Sequence, residues 1–127
     1  MNSLTEQFIC NSDVLQEGGA GVRFALHTAF GDGTGFVVRY AGVVRGFVNQ
    51  CRHVPTELDW VPGQFFDDSG LYLICATHGA RYDPIHGNCV SGPCSGKSLY
   101  RLQVHERAGC VYWVPTEKIR VSLQPVK

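Results

Sequence analysis

Two short stretches of the sequence hold side chains that can bind a metal. Cys51 and His53 form a C-x-H pattern, and Cys75 and His78 form a C-x-x-H pattern that begins after a further 21 residues. Each stretch supplies one thiolate and one imidazole. Zinc, copper and iron all accept this combination of ligands, so the residue types alone do not select the metal. A structural zinc site made by all four residues is the simplest interpretation.

Both stretches follow segments that read as β-strands. The run 43–48 leads to Cys51, and the apolar run 71–74 leads directly to Cys75. Short runs rich in Val, Ile, Tyr and Phe, separated by Gly and Asp, continue through most of the chain and predict an all-β fold. The other predicted strands are 8–10, 22–30, 36–40, 99–104, 110–114 and 119–123, with a turn at 31–35 and one helical turn at 14–17.

Length and charge limit the classes of protein to consider. The chain has 127 residues, 44% of them hydrophobic, which predicts a single domain over 1–127. Eleven basic and eleven acidic residues balance each other without blocks of like charge, so neither nucleic acid nor an anionic membrane is an expected partner. The first residues do not resemble an export signal, and no apolar run is long enough to span a bilayer. We therefore expect a cytoplasmic protein without a membrane anchor.

The four cysteines outside the two stretches need their own interpretation. A disulfide framework is typical of secreted proteins, so in a cytoplasmic chain reduced thiols or metal ligands are favoured. For Cys89 and Cys94 the alternatives are a local disulfide, additional ligands or small apolar side chains, and we expect reduced structural thiols. Cys10 and Cys110 are expected in the core.

The aromatic and basic residues near the two stretches are expected to have ordinary structural roles. Leu58, Trp60 and Phe65 are predicted to pack beneath the segment between the two stretches, and Trp113 to pack elsewhere in the core. Arg52 and Arg81 flank the two stretches. They are expected to be solvated, with steering of an acidic partner as the alternative.

The sequence resembles the Rieske [2Fe-2S] domain family, and specifically its small stand-alone ferredoxins. The resemblance covers nearly the whole chain and depends on four motifs. These are Cys51-x-His53, Cys75-x-x-His78-Gly79, Tyr82-Asp83, and Gly92-Pro93 in the position of the family's cluster-covering proline loop. It implies that the two cysteines bind the inner iron of one [2Fe-2S] cluster and that the two histidines bind the outer iron. It also implies an antiparallel β-sandwich with a cluster-binding subdomain at about 48–95.

The residues around the ligands lead to a prediction for the reduction potential. With two thiolates the oxidised cluster is formally neutral, so adding an electron is less opposed than in a four-cysteine site, and the class spans about −150 to +300 mV. High-potential members have a cysteine in each ligand loop and a serine after the second loop's His-Gly. This chain has Thr56, Thr77 and Ala80 instead, and Tyr82 is the matching hydroxyl that can reach a ligand sulfur. We therefore expect a low to intermediate potential.

The chain length favours a carrier over an oxygenase. Only 49 residues follow His78, which leaves no room for a domain with a mononuclear iron site. The leading hypothesis is a soluble one-electron carrier between a reductase and an oxygenase or other terminal redox enzyme, without a substrate-converting site of its own. The alternatives are a small redox subunit of a multisubunit reductase, as in assimilatory nitrite reductases, and a zinc-stabilised interaction domain.

Overall fold

The computed structural model describes residues 5–29, 31–52 and 56–122, and strands make up nearly all the regular structure in these ranges. The predicted all-β class is confirmed. The strands are β1 (Gln7–Asn11), β2 (Val22–Thr28), β3 (Gly31–Tyr40), β4 (Val43–Val48), β5 (Leu73–Ile74), β6 (Arg81–Tyr82), β7 (Cys89–Ser91), β8 (Arg101–Arg107), β9 (Cys110–Val114) and β10 (Arg120–Val121). A 3-10 turn at Ser12–Val14 lies slightly before the predicted helical turn. No helix in the described ranges has the length and hydropathy of a membrane span.

The strands form one large and one small antiparallel sheet. The seven-stranded sheet has the order β1-β9-β8-β4-β3-β2-β10, and the three-stranded sheet has the order β5-β6-β7. Two hairpins of the large sheet turn at Ala41-Gly42 and Ala108-Gly109, where all four residues have positive φ angles of 52–76°. This backbone matches the twist of tight antiparallel hairpins.

The turn predicted at 31–35 is wrong, because these residues form the first half of β3. Gly33 and Gly35 pair with Leu26 and Phe24 of β2. A Cβ atom on Gly35 would lie 2.7 Å from the ring of Phe24. Gly35 therefore makes space for large neighbouring side chains and does not interrupt the strand.

The two sheets share one apolar core. Phe36 of β3 stacks on Phe65 with ring centroids 3.8 Å apart, and both side chains are fully buried. Leu73 and Tyr82 of the small sheet are buried in the same core, as are Phe47 and Leu58. Trp113 is buried at 3% exposure, as predicted. The small sheet is thus packed directly on β3 and β4, the strands that lead to the first ligand stretch.

The segment before the small sheet is held by a buried carboxylate. The side chain of Asp59 has 0% exposure. It accepts hydrogen bonds from Asn49 Nδ2 at 3.0 Å and from the Gly63 backbone N–H at 2.9 Å. The expectation that Trp60 packs in the core is wrong, since its indole is 78% exposed. The inward position is taken by Asp59, which satisfies polar donors that an indole could not satisfy.

Arg39 links the N-terminal turn to the large sheet and forms an ion pair within that sheet. Arg39 of β3 donates to both carboxylate oxygens of Glu106, at 3.1 and 2.7 Å. The same guanidinium donates to the backbone oxygen of Leu15 at 2.8 Å. These hydrogen bonds hold the pKa of Glu106 below its ordinary value.

Candidate metal centre

Three of the four predicted ligands lie together at the end of the small sheet. The ligand atoms of Cys51, Cys75 and His78 all lie within 4.8 Å of one another. Cys75 Sγ and His78 Nδ1 are 3.7 Å apart. The fourth predicted ligand, His53, lies outside the described residues. The fold therefore brings residues from two distant stretches to one point.

The site has a buried sulfur side and a more exposed imidazole side. Cys51 and Cys75 have 1% and 0% exposure, whereas His78 is half-buried. Burial raises the pKa of the Cys75 thiol above its ordinary value, because a lone thiolate is poorly solvated there. A bound metal removes this penalty, since it compensates the charge of the thiolate. Two sulfurs and an imidazole converging on one point thus fit an iron centre, and the same donors also suit zinc.

Backbone hydrogen bonds fix both ligand loops. In the second loop, the Cys75 N–H donates to Ala80 O and the Gly79 N–H donates to Cys75 O, both at 2.8 Å. Gly79 has a φ of 76°, which suits glycine. The first loop is closed by the Cys51 N–H, which donates to Thr56 O at 2.8 Å. The ligand positions are therefore set by the loop backbones.

Tyr82 is placed to donate a hydrogen bond to a ligand sulfur. Its hydroxyl oxygen lies 3.5 Å from Cys51 Sγ. The same oxygen accepts the backbone N–H of Arg52 at 3.0 Å. Because that N–H can only donate, the phenolic hydrogen is left to point at the sulfur. Burial, followed by the contact with Cys51, raises the pKa of Tyr82, so the hydroxyl keeps its proton.

The predicted covering loop lies against the second ligand loop. Gly92 has a φ of 88°, and a Cβ there would lie 2.9 Å from Ala80 Cα and 3.0 Å from Gly79 O. A side chain at this position would displace the ligand loop or the cover. Pro93 follows on the exposed side of the same loop. Glycine at 92 therefore allows backbone to pack directly on backbone beside His78.

The prediction of reduced thiols at Cys89 and Cys94 is wrong, since these residues form a disulfide in the covering loop. Strand β7 and the following turn bring their Cα atoms to 5.6 Å, which is within the range that a disulfide requires. The sequence spacing allowed this pairing without selecting it. Cys10 is buried as expected, and Cys110 is half-buried.

The two arginines beside the ligand loops are bound and not simply solvated. The guanidinium of Arg52 lies 4.4 Å from the centre of the Tyr100 ring and donates to Ser98 O at 2.6 Å. Arg81 Nε lies 3.0 Å from the Asp67 carboxylate. The positive charge of Arg52 is therefore fixed next to the first ligand loop. Sequence reasoning missed this, because its partners are about 50 residues away along the chain.

The comparisons with known proteins agree with this geometry. A comparison with curated proteins gives no significant match. The ferredoxin of carbazole 1,9a-dioxygenase from Nocardioides aromaticivorans IC177 is similar in structure, with a TM-score of 0.69, 22% identity, and coverage of 88% of this chain and 99% of that one. The Sphingomonas yanoikuyae B1 ferredoxin gives a TM-score of 0.67 at 20% identity, covering 88% of this chain and 100% of that one. At these identities the likeness shows the fold. The model of the Rieske [2Fe-2S] domain matches residues 5–117. The chain therefore belongs to the Rieske [2Fe-2S] domain family, whose cofactor is one [2Fe-2S] cluster.

Proposed function

We propose that this protein is a one-electron carrier that passes electrons from a reductase to an oxygenase or another terminal redox enzyme. In this proposal the four ligands of its cluster are Cys51, His53, Cys75 and His78. The observation that carries the proposal is the convergence of three of these ligands within 4.8 Å, with both thiols buried and His78 half-buried. When bound, the cluster supplies a centre that gains and loses one electron.

The protein's own residues define the direction in which electrons enter and leave. The core around Cys51 and Cys75 excludes water from the sulfur side. Tyr82 orients a donor toward Cys51 and favours the more negative, reduced state. His78 lies on the side that a partner can approach, so electron exchange takes place through the imidazole edge.

The domain organisation fits this role. We propose that 1–127 form one Rieske domain in which about 48–95 serve as the cluster-binding subdomain. The small sheet, both ligand stretches and Gly92-Pro93 all fall within that range. The shared core with β3 and β4 supports the ligand loops from below.

An exposed aromatic side chain beside the site supports a protein partner. Trp60 and Val61 are 78% and 54% exposed. Their segment contacts the second ligand loop, where the Ala76 N–H donates to Leu58 O at 2.9 Å. Buried Asp59 fixes the backbone of this segment. Tryptophan is enriched among the residues that dominate protein interfaces, and we assign this one to the surface that meets the terminal enzyme.

The structural neighbours support an oxygenase as that enzyme. One similar structure is a complex of reduced oxygenase and oxidized ferredoxin in carbazole 1,9a-dioxygenase, with a TM-score of 0.66, 21% identity, and coverage of 87% of this chain and 94% of that one. In that system a protein of this fold meets an oxygenase.

Spectroscopy of the purified protein tests the proposal. We expect visible absorption and, after reduction, an EPR signal with the low average g-value of a mixed histidine and cysteine cluster. Cys75→Ser should abolish both signals, whereas the matched control Cys110→Ser should retain them. The reduced protein should then transfer its electron to an oxygenase in stopped-flow mixing.

Three outcomes would contradict the proposal. A colourless, EPR-silent protein that contains zinc would indicate the interaction domain. A large reductase subunit that co-purifies in fixed stoichiometry would indicate the reductase component. Retention of the EPR signal in Cys75→Ser would show that the ligand assignment is wrong.

A further inference from the structure

We propose that Cys89 and Cys94 form a second redox site, a reversible disulfide that exchanges with a dithiol reductant. Its oxidation state determines how firmly the covering loop, residues 89–97, closes over the second ligand loop. This site is separate from the cluster, because thiol–disulfide exchange transfers electrons in pairs.

The two sulfurs differ in accessibility, as an exchange site requires. Cys94 has 0% exposure and lies in the same apolar core as Cys51 and Cys75. Cys89 is half-buried. An incoming thiolate therefore reaches Cys89 first, and Cys94 is the sulfur that leaves.

The covering loop connects this disulfide to the ligand loop. The bridge encloses residues 89–94 and thus includes Gly92, whose backbone packs against Gly79 and Ala80 next to His78. The base of the loop has its own closure, because the Cys89 N–H donates to Lys97 O and the Lys97 N–H donates to Cys94 O, both at 2.9 Å. Reduction would therefore loosen the tip of the loop while its base stays paired.

The local structure can also accommodate the two free thiols. Cys94 Sγ lies 3.4 Å from Ser91 O and 3.8 Å from Arg81 O, and Cys89 Sγ lies 3.6 Å from Ser91 O. A disulfide sulfur has no hydrogen to donate, whereas a thiol does. When the bond breaks, the two sulfurs must move apart to van der Waals distance, and these nearby carbonyl oxygens are then acceptors within reach of the thiols.

The exchange proceeds in two steps. A thiolate of the reductant attacks Cys89 Sγ and forms a mixed disulfide, while the bond to Cys94 Sγ breaks and Cys94 leaves as a thiolate that takes a proton from water. The reductant's second sulfur, as a thiolate, then attacks the reductant's first sulfur in the mixed disulfide, and Cys89 leaves as a thiolate that also takes a proton from water. Two electrons and two protons pass to the protein, and the dithiol becomes a disulfide.

The size of the ring sets the expected effect on the loop. In the chain-entropy description, a bridge that closes a six-residue ring reduces the number of conformations available to the open loop by a factor of about 40. Opening of the cover should therefore become more frequent by up to about 40-fold when the bridge is reduced. Processes that require an open loop, such as cluster loss to a chelator or proteolysis within the loop, should accelerate correspondingly.

Thiol labelling of the intact, cluster-loaded protein tests the site itself. We expect alkylation and peptide mass mapping to find Cys89 and Cys94 joined before anaerobic treatment with dithiothreitol and labelled after it. After dithiothreitol is removed, oxidised glutathione should restore the bridge. Two free thiols in the untreated, air-exposed protein, or a bridge that the folded protein does not release to dithiothreitol, would overturn the proposal. Because labelling does not depend on electron transfer, either failure would leave the carrier function standing.

The rate of cluster loss tests the link to the ligand loop. With a chelator present, bleaching of visible absorption should be faster after dithiothreitol treatment. The same treatment should not change the bleaching rate of Cys89→Ser, which has no bridge. It should accelerate bleaching of Cys110→Ser as much as it does in the wild type. Equal bleaching rates for the oxidised and reduced wild-type protein would refute the link, as would a full dithiothreitol response in Cys89→Ser.

Discussion

Replacing Tyr82 by phenylalanine isolates one hydroxyl group at the candidate metal centre. The ring is fully buried and its shape is retained, so the packing of the core changes little. The lost group is the hydroxyl 3.5 Å from Cys51 Sγ. We predict that Tyr82→Phe lowers the reduction potential, because the hydroxyl donates to a sulfur that carries more negative charge in the reduced state.

The magnitude follows from the worth of one hydrogen bond. A net contribution of about 0.5–1.5 kcal/mol is typical. A tenfold change in an equilibrium corresponds to about 1.4 kcal/mol, and to about 59 mV for a one-electron couple. If most of this hydrogen bond is gained on reduction, the potential should fall by about 20–60 mV.

The same substitution has a second effect that must be measured separately. The Arg52 backbone N–H loses its acceptor at 3.0 Å, and an unpaired buried donor costs about 1–3 kcal/mol. A denaturation curve should therefore show reduced stability alongside the shift in potential. Together the two changes would show that one oxygen accepts from the loop backbone and donates to the sulfur.

Redox titration followed by EPR or circular dichroism measures the shift. Tyr72→Phe is the matched control, since this tyrosine precedes the small sheet and is 38% exposed. Its potential should equal that of the wild type. A Tyr82→Phe potential equal to or above the wild-type value would refute the assignment of the hydroxyl as donor to the ligand sulfur.

The remaining predictions concern the cover, the supporting segment, the sheet and the partner surface. Gly92→Ala and the control Gly96→Ala both place alanine at a positive φ, which costs about 1–2 kcal/mol of stability. Only the alanine at 92 also meets backbone atoms within 3 Å, so Gly92→Ala should be the less stable variant and should lose its cluster faster. Asp59→Ala should reduce the free energy of unfolding by about 3 kcal/mol in denaturant titrations, because it leaves buried donors unpaired. The lowered pKa of Glu106 adds stability that is present above pH 4.5 and lost as pH falls through the lower pKa of the folded state, so the stability gap between wild type and Glu106→Gln should shrink only below pH 4.5. Trp60→Ala should slow electron transfer to the terminal enzyme about tenfold while the potential stays unchanged, and an unchanged rate would remove Trp60 from the partner surface.

Local sequence signals predicted the parts of the structure that local interactions determine. The all-β class follows from short β-rich runs separated by Gly and Asp. The approach of Cys51, Cys75 and His78 is implied by the resemblance to the Rieske family, because the position of each stretch at a strand end does not by itself bring the two together. The motif containing Tyr82 likewise predicted a hydroxyl within reach of a ligand sulfur.

The features that sequence reasoning missed depend on which residues meet in the folded chain. Trp60 has the large apolar side chain of a core residue, but its neighbour Asp59 takes the interior position, where it accepts hydrogen bonds from Asn49 and Gly63. Gly35 resembles a turn residue until the ring of Phe24 is seen to occupy its missing side-chain volume. The Cys89–Cys94 bridge required the Cα separation that β7 and its turn create.

The core shared by the two sheets has a consequence for how electrons reach a partner. Phe36 and Phe47 of the large sheet and Leu73 and Tyr82 of the small one are packed in the same apolar cluster. Swinging the metal-bearing end away from the large sheet would open that cluster to water, at a cost of about 25 cal/mol for each Å² exposed. If the protein is the carrier proposed above, it should therefore travel as one rigid particle. Each delivery then depends on a collision between whole molecules, and its rate should rise with the concentration of the partner.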